Sequence, residues 1–326
     1  MKHVVTLILC FCSLLVFGQS AEELHKTAKG LLREGDYDNA ILVLTKIIDN
    51  NPQYTLANND LMYANFLKRD FSKAIELGKL YTSLPSVNEQ TFQILGMCYK
   101  EIALYKEATT MYKTAMAKYP SSGMFYNEMA DIEMIEKRPS DAIKLWEKGI
   151  ELDPNYSANY YNAAQYYAKQ KSSVWSIVYG EIFINLESYS LRTAEIKTLL
   201  LEEYKTLLLT NDKKYASPFE KLFYQAFSKE ITEINAKNLS LIRTKFILNW
   251  FYNKNNEAYP FRLFDQQRYL VKEGLFEAYN QWIFGVAQDA AKYKTWVDEN
   301  TAQANGFKDF QQSRVFKLVT GQYYKN

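Results

Sequence analysis

Glu273 and Glu277 stand four apart in the stretch YPFRLFDQQRYLVKEGLFEAYNQWIFG, which crowds Arg262, Asp265, Arg268, Asn280, Gln281 and Trp282 among apolar residues. On a helix that continues past Gly274 the two carboxylates share a face, and Tyr269 shares it with Glu273. Paired carboxylates suit acid/base work or cation binding. The same charges equally suit an Asp/Glu–Arg network that orients packed helices. Tyr279 and Trp282 read first as core.

Other reactive groups are few. The chain has three cysteines and two histidines, and two of the cysteines (Cys10, Cys12) and one histidine (His3) lie between Met1 and Gly18. If that segment is removed, Cys98 and His25 are all that remain. A lone cysteine makes no internal disulfide. Cys98 sits in an apolar setting and reads as a space-filling thiol, with an intermolecular disulfide as the other reading. A nucleophile–imidazole pair would have to recruit His25, expected in solvent or in a groove. Zinc sites need several close cysteines or histidines. No glycine-rich phosphate loop or dinucleotide fingerprint occurs. No catalytic residue, metal ligand or cofactor is therefore assigned.

The segment from Met1 to Gly18 reads as a leader. Lys2 and His3 precede an uncharged run from Val4 to Phe17, and Gly18 follows. A short basic start, an apolar stretch and a small residue at the cut read as a secretory signal peptide. The run is too short to cross a bilayer, which takes about 20 residues. The expectation is cleavage after Gly18 and a mature chain in the periplasm or cell envelope. A lipoprotein reading at Cys10 is disfavoured, because Leu9 precedes it. No later segment is long enough to span. The 39 lysines and arginines nearly balance the 37 aspartates and glutamates, and no basic stripe points to nucleic acid.

The elements that must hold any site follow from a period. Ala40, Ala74, Ala108 and Ala142 recur at one fixed interval, and Ser176 falls on the next step. Five windows run near 21–54, 55–88, 89–122, 123–156 and 157–190. Their eighth places are Ala28, Met62, Gly96, Ala130 and Ala164; their twenty-fourth are Leu44, Gly78, Tyr112, Trp146 and Gly180. Pro52, Pro120 and Pro154 close three windows, and Pro85 closes another one place early. Each window reads as two amphipathic helices and a short turn. Small residues let the paired helices approach, and proline stops the second helix. With 48% hydrophobic residues and only 12 glycines and 7 prolines, an all-α chain is expected. The 26 tyrosines read as packing between stacked helices.

These windows resemble the tetratricopeptide repeat family. The third, EQTFQILGMCYKEIALYKEATTMYKTAMAKYPSS, matches almost throughout; the second departs at Asn58, Asn65 and Gly78, and the fifth lacks its closing proline. The resemblance implies an α-solenoid of about five helix-turn-helix repeats over residues 19–190, whose first helices line a concave face. It implies that the fifth and ninth places of a window face that groove. Asn59 with Tyr63, Gln93 with Met97, Asn127 with Asp131 and Tyr161 with Gln165 would form a ladder for a peptide or protein partner. Polar surface, or contacts between repeats, remains the other reading of the same residues. Some relatives grip a terminal carboxylate with lysine and asparagine; here only Lys29 and Lys169 are basic among the inner positions, so that clamp is not expected.

Beyond residue 190 the alanine beat stops. One long helix is expected over LRTAEIKTLLLEEYKTLLL, and another from a cap at Asn238 or Ser240. A polar loop is expected at Asn253 to Pro260, and two short final helices near Lys292 to Glu299 and Phe307 to Tyr323. Residues 191–326 thus form a helical C-terminal domain, either divergent hairpins stacked on the fifth repeat or a separate bundle. Two functions stay open: a non-catalytic interaction scaffold binding in the groove, or an exported enzyme or ligand-binding protein with its site in the C-terminal part. The partner and the oligomeric state are not legible.

Overall fold

A computed structural model describes residues 20–52, 54–209, 215–227, 233–319 and 321. The expected signal peptide, with Cys10 and Cys12, lies outside the described residues. Among those described there is helix and irregular chain but no strand. Two compact units divide the chain, Met1–Lys118 and Tyr119–Asn326. This boundary falls near the end of the third window.

The first unit holds three hairpins: α1 (Ala21–Glu34) with α2 (Tyr37–Asn50), α3 (Thr55–Leu67) with α4 (Phe71–Tyr81), and α5 (Glu89–Glu101) with α6 (Tyr105–Lys118). Each helix packs on the next in sequence, and α3 also packs on α1 and α5. Local sequence sets the starts. Ser20 and Glu23 form a reciprocal capping box at α1, while Asp36, Asp70 and Asn88 accept from backbone N–H groups at α2, α4 and α5. Such caps are worth about 1 kcal/mol each.

The second unit begins with two more hairpins, α7 (Gly123–Ile135) with α8 (Pro139–Leu152) and α9 (Ser157–Lys169) with α10 (Ser173–Leu186). The turn inside all five hairpins passes through a left-handed residue at the same place: Gly35, Arg69, Ala103, Lys137 and Lys171. The repeat is thus written in backbone conformation as well as in side-chain size. All five beat residues, from Ala40 to Ser176, are fully buried.

The eighth and twenty-fourth places of a window share one volume. In the third repeat Gly96 faces Tyr112, and a Cβ added at Gly96 would lie 2.0 Å from the tyrosine hydroxyl oxygen. In the second repeat the sizes are exchanged. Met62 is the large partner, and a Cβ on Gly78 would lie 2.9 Å from its terminal methyl. That exchange explains the departure at Gly78. Asn58 also has a structural role, donating to the Pro52 carbonyl at 3.3 Å, as the Tyr160 hydroxyl donates to Pro154 at 3.0 Å in the fifth repeat.

The fifth repeat closes without proline. Proline would fall at 188; instead Glu187 accepts from Ser157 at 2.9 Å, from Arg192 at 2.5 Å and from Ser190. Burial pushes the Glu187 carboxyl up, but Arg192 and the two hydroxyls outweigh it and hold the group below its ordinary value.

After this knot, α11 (Leu191–Leu209) packs on α10 and α9 as the first helix of a sixth hairpin would. Leu200 and Ile196 of α11 fill the space that Gly180 leaves open. Then follow α12 (Pro218–Ala226), α13 (Ala236–Tyr252), α14 (Asn255–Ala258), α15 (Arg262–Lys272) and α16 (Phe276–Asn280), a π-helical turn at Gln281–Gly285, α17 (Val286–Gln288), α18 (Ala290–Glu299) and α19 (Thr301–Ser313).

Three expectations are corrected here. Helix α13 starts before Asn238, because Asn235 caps it by accepting from the Asn238 N–H at 2.9 Å. The loop from Asn253 to Pro260 contains the short α14. The last helix ends at Ser313, and residues 314–319 run without helix. Val315, Lys317 and Val319 are exposed while Phe316 and Leu318 are buried, a period of two that a helix cannot present to one side.

Candidate binding surfaces

The fifth-place residues His25, Asn59, Asn127 and Tyr161 each link their helix to the first helix after their own hairpin. In the first unit, His25 Nε2 meets the Asp60 carboxylate at 2.7 Å, with the Tyr54 hydroxyl 3.4 Å from the other ring nitrogen. His25 is buried, not solvated. Asn59 is buried as well. Its amide donates to Asn88 at 3.0 Å and to Gln90 at 3.3 Å, and its carbonyl accepts from Thr91 at 2.7 Å.

The second unit repeats the device. Asn162 donates to Asn127 at 2.8 Å. The Tyr161 hydroxyl donates to Glu195 on α11 at 2.5 Å, while the Arg192 guanidinium lies 5.1 Å from the Tyr161 ring centre. Burial first, and Glu195 second, push the Tyr161 phenol up. Asn59, Asn127 and Tyr161 therefore have structural partners on the following helix.

The ninth-place residues are arranged differently. Tyr63 is exposed and stacks on Phe66 with ring centres 6.0 Å apart. Met97 lies half-buried on α5, the helix packed beside Tyr63's own, with the fifth-place Gln93, also half-buried, one turn before it. Asp131 on α7 and Gln165 on α9 are half-buried on adjacent helices of the second unit.

Near the start of the first unit is a cleft of about 430 Å³ that sequence reading missed. Lys26, Lys29 and Arg33 of α1 line it together with His25 and Tyr54. Their spacing of three and four places them along one side of a helix, and that was the available signal.

The carboxylates of the C-terminal stretch do not form a pair on one helix. Gly274 takes φ +71° and ends α15 after Lys272, so Glu273 and Glu277 stand on either side of a break. Glu277 accepts from the Trp296 indole at 3.3 Å and borders a cleft of about 500 Å³ between α13, α16 and α18; Glu273 is not part of its wall. Arg268 lies against the Phe251 ring at 4.4 Å. Burial raises the Asp265 carboxyl, with Arg262 and Arg268 opposing.

The buried charge of this unit is elsewhere. Glu181, the only charged side chain in the largely apolar α10, pairs with Arg243 of α13. Gln267 and Tyr204 each donate to Glu181 at 2.6 Å, and Asn280 accepts from Arg243. Burial alone pulls the guanidinium down, but Glu181, Tyr204 and Tyr279 outweigh it and Arg243 is held above its ordinary value. The Cys98 thiol is buried and pushed up to about 12 by that burial. Among the described residues no group of three or more histidine, cysteine, aspartate or glutamate side chains is placed to hold a metal ion. No described helix is long and apolar enough to cross a membrane.

No family model and no curated protein matches the sequence. Solved structures do. The chain is similar to pilF of Pseudomonas aeruginosa, at 19% identity over 57% of this chain and 83% of that one, with a TM-score of 0.46. It is similar to a thermophilic TPR protein of Thermus thermophilus at 15% identity, covering 56% of this chain and all of that one, with a TM-score of 0.46. A third is YrrB, a TPR protein with an unusual peptide-binding site, at 16% identity over 55% and 92% of the two chains and a TM-score of 0.35. With paired helices on one fixed period and a left-handed turn at the same place in every pair, the hairpins from Ala21 to Leu186 have the tetratricopeptide repeat fold.

Proposed function

We propose that this chain is a non-catalytic interaction scaffold of the cell envelope, exported by its leader, that binds a peptide or protein along the first helices of its repeats. The observation that carries the reading is the division of labour between the two inner places. His25, Asn59, Asn127 and Tyr161 tie one helix to another, while at the ninth place exposed Tyr63 and half-buried Met97 on the adjoining helix offer apolar surface to a partner. Tyrosine and methionine give adaptable apolar contact at low ordering cost.

The alternative site in the C-terminal part has less support. Acid/base catalysis wants two positioned carboxylates, and here a helix break separates them.

Crosslinking in the native cell, followed by identification of the attached protein, tests the reading. Tyr63→Ala combined with Met97→Ala should reduce recovery of the principal partner at least fivefold without loss of helicity. Equal recovery would exclude this face. Sequencing the mature N-terminus should begin at Gln19; an intact leader in the native host would remove the export part.

A further inference from the structure

The segment after α19 is held in the manner of a bound peptide. Both ends of the Asn155 amide, in the turn between α8 and α9, bond the main chain of Leu318: the side-chain oxygen accepts its N–H at 2.9 Å, and the side-chain nitrogen donates to its carbonyl at 3.0 Å. Phe316 and Leu318 enter the apolar core of the second unit, at 7% and 2% exposure. Val315, Lys317 and Val319 between and beside them face solvent. Arg314 donates to the Tyr269 hydroxyl at 3.0 Å, with its guanidinium 4.2 Å above that ring.

Extended-peptide recognition combines these two parts: main-chain bonds that ignore sequence, and sockets for alternate side chains that read it. Everything used to hold residues 314–318 is available to any chain with a basic residue, an aromatic and an aliphatic at steps of two. The strap is tethered to α19 at one end, and α19 itself is anchored separately through Phe307 in the core.

We propose that Asn155 and the two apolar sockets form a peptide-binding site occupied in cis by residues 314–318, and that its outside ligand is an extended peptide of basic-x-aromatic-x-aliphatic pattern. This site is independent of the repeat groove and of the reading given to it. A cis occupant on a short tether competes at an effective concentration on the order of millimolar. A strap whose intrinsic Kd is roughly 10–100 µM therefore weakens an outside copy roughly tenfold to hundredfold.

The test uses the full chain and a fluorescent peptide copying residues 313–319. Phe316→Ser with Leu318→Ser should free the site and bind the copy at least tenfold tighter than the unaltered chain does. Adding Asn155→Ala should reverse that gain. Equal affinity in the first two proteins, or no effect of Asn155→Ala, overturns the proposal. Loss of helicity in the serine variant also overturns it, since a displaceable occupant must be dispensable to the fold. On the unaltered chain, an excess of the 313–319 peptide carrying dimethyl-lysine at its second place and glutamine at its fifth, which keeps the basic charge and resists trypsin, should speed tryptic cleavage after Lys317 at least fivefold. An unchanged rate overturns the proposal by a route that needs no variant.

Discussion

Glu181 and Arg243, 62 positions apart, meet as a buried ion pair that locks α13 onto the fifth repeat. Each is at most 2% exposed, and each has further polar partners around it. A buried pair gains little net stability over an apolar one, but removing one member leaves a naked charge. Arg243→Met should cost about 3–5 kcal/mol, and urea unfolding followed by circular dichroism measures it. The double replacement Glu181→Leu with Arg243→Met should cost less than Arg243→Met alone. The opposite order would mean that the ion pair itself, not the orphaned charge, sets the energetics.

The packing of Gly96 on Tyr112 gives a second expectation. A methyl group at position 96 would meet the end of the Tyr112 ring, which is fully buried. Gly96→Ala should destabilise by about 1–3 kcal/mol, the ordinary cost of overpacking. Tyr112→Leu in the same chain should recover part of that loss. A neutral Gly96→Ala would mean that α5 and α6 separate readily.

Ala103 offers the reverse case. It holds φ +57° in an exposed turn, where an L side chain costs roughly 1–2 kcal/mol and glycine costs less. Ala103→Gly should therefore raise stability by about 0.5–1 kcal/mol despite the greater freedom of the unfolded chain. Thermal melting decides between this and the loss expected if unfolded-state entropy dominates.

Lys197 predicts a pH dependence. Its ammonium lies 3.7 Å from the centre of the Trp282 ring, and burial pulls its pKa down from 10.5 to about 7. Below about 7 the amine is protonated whether the chain is folded or unfolded, and the full burial penalty stands. Between about 7 and 10.5 the unfolded chain keeps a proton that the folded chain has lost, so this group's contribution to stability rises with pH. Relative to Lys197→Met, the unaltered chain should gain stability from pH 7 to pH 10. Parallel curves would place the amine in solvent.

What could be read in advance was what repeats locally. Alanine spacing, helix pairing and capping residues each act within a few turns of chain, so they leave a mark at fixed intervals. Gly78 and Gly180 are legible as small residues at the twenty-fourth place, but not as compensated ones, because Met62 and α11 supply the missing volume from elsewhere. Of the ladder, Asn59, Asn127 and Tyr161 read as inner residues, yet their use is decided by Thr91, Asn162 and Glu195 on the first helix after their own hairpin. Glu181 carried a signal, a charge in an apolar helix, but its partner lies far along the chain and no local pattern names it. The hold of Asn155 on Leu318 spans 163 positions and uses main chain, which has no sequence signature at all.

Because His25, Asn59, Asn127 and Tyr161 each engage the first helix that follows, the joints they make are all the same kind of hinge pin. A hairpin gained or lost as a whole keeps the helices in phase, so each of these side chains still faces the first helix after its own hairpin. A cut of any other length strands a polar side chain in the interior. Lengthening or shortening of such a chain by recombination is thereby held to whole-hairpin steps, and intermediate steps are removed by misfolding before any loss of binding is felt.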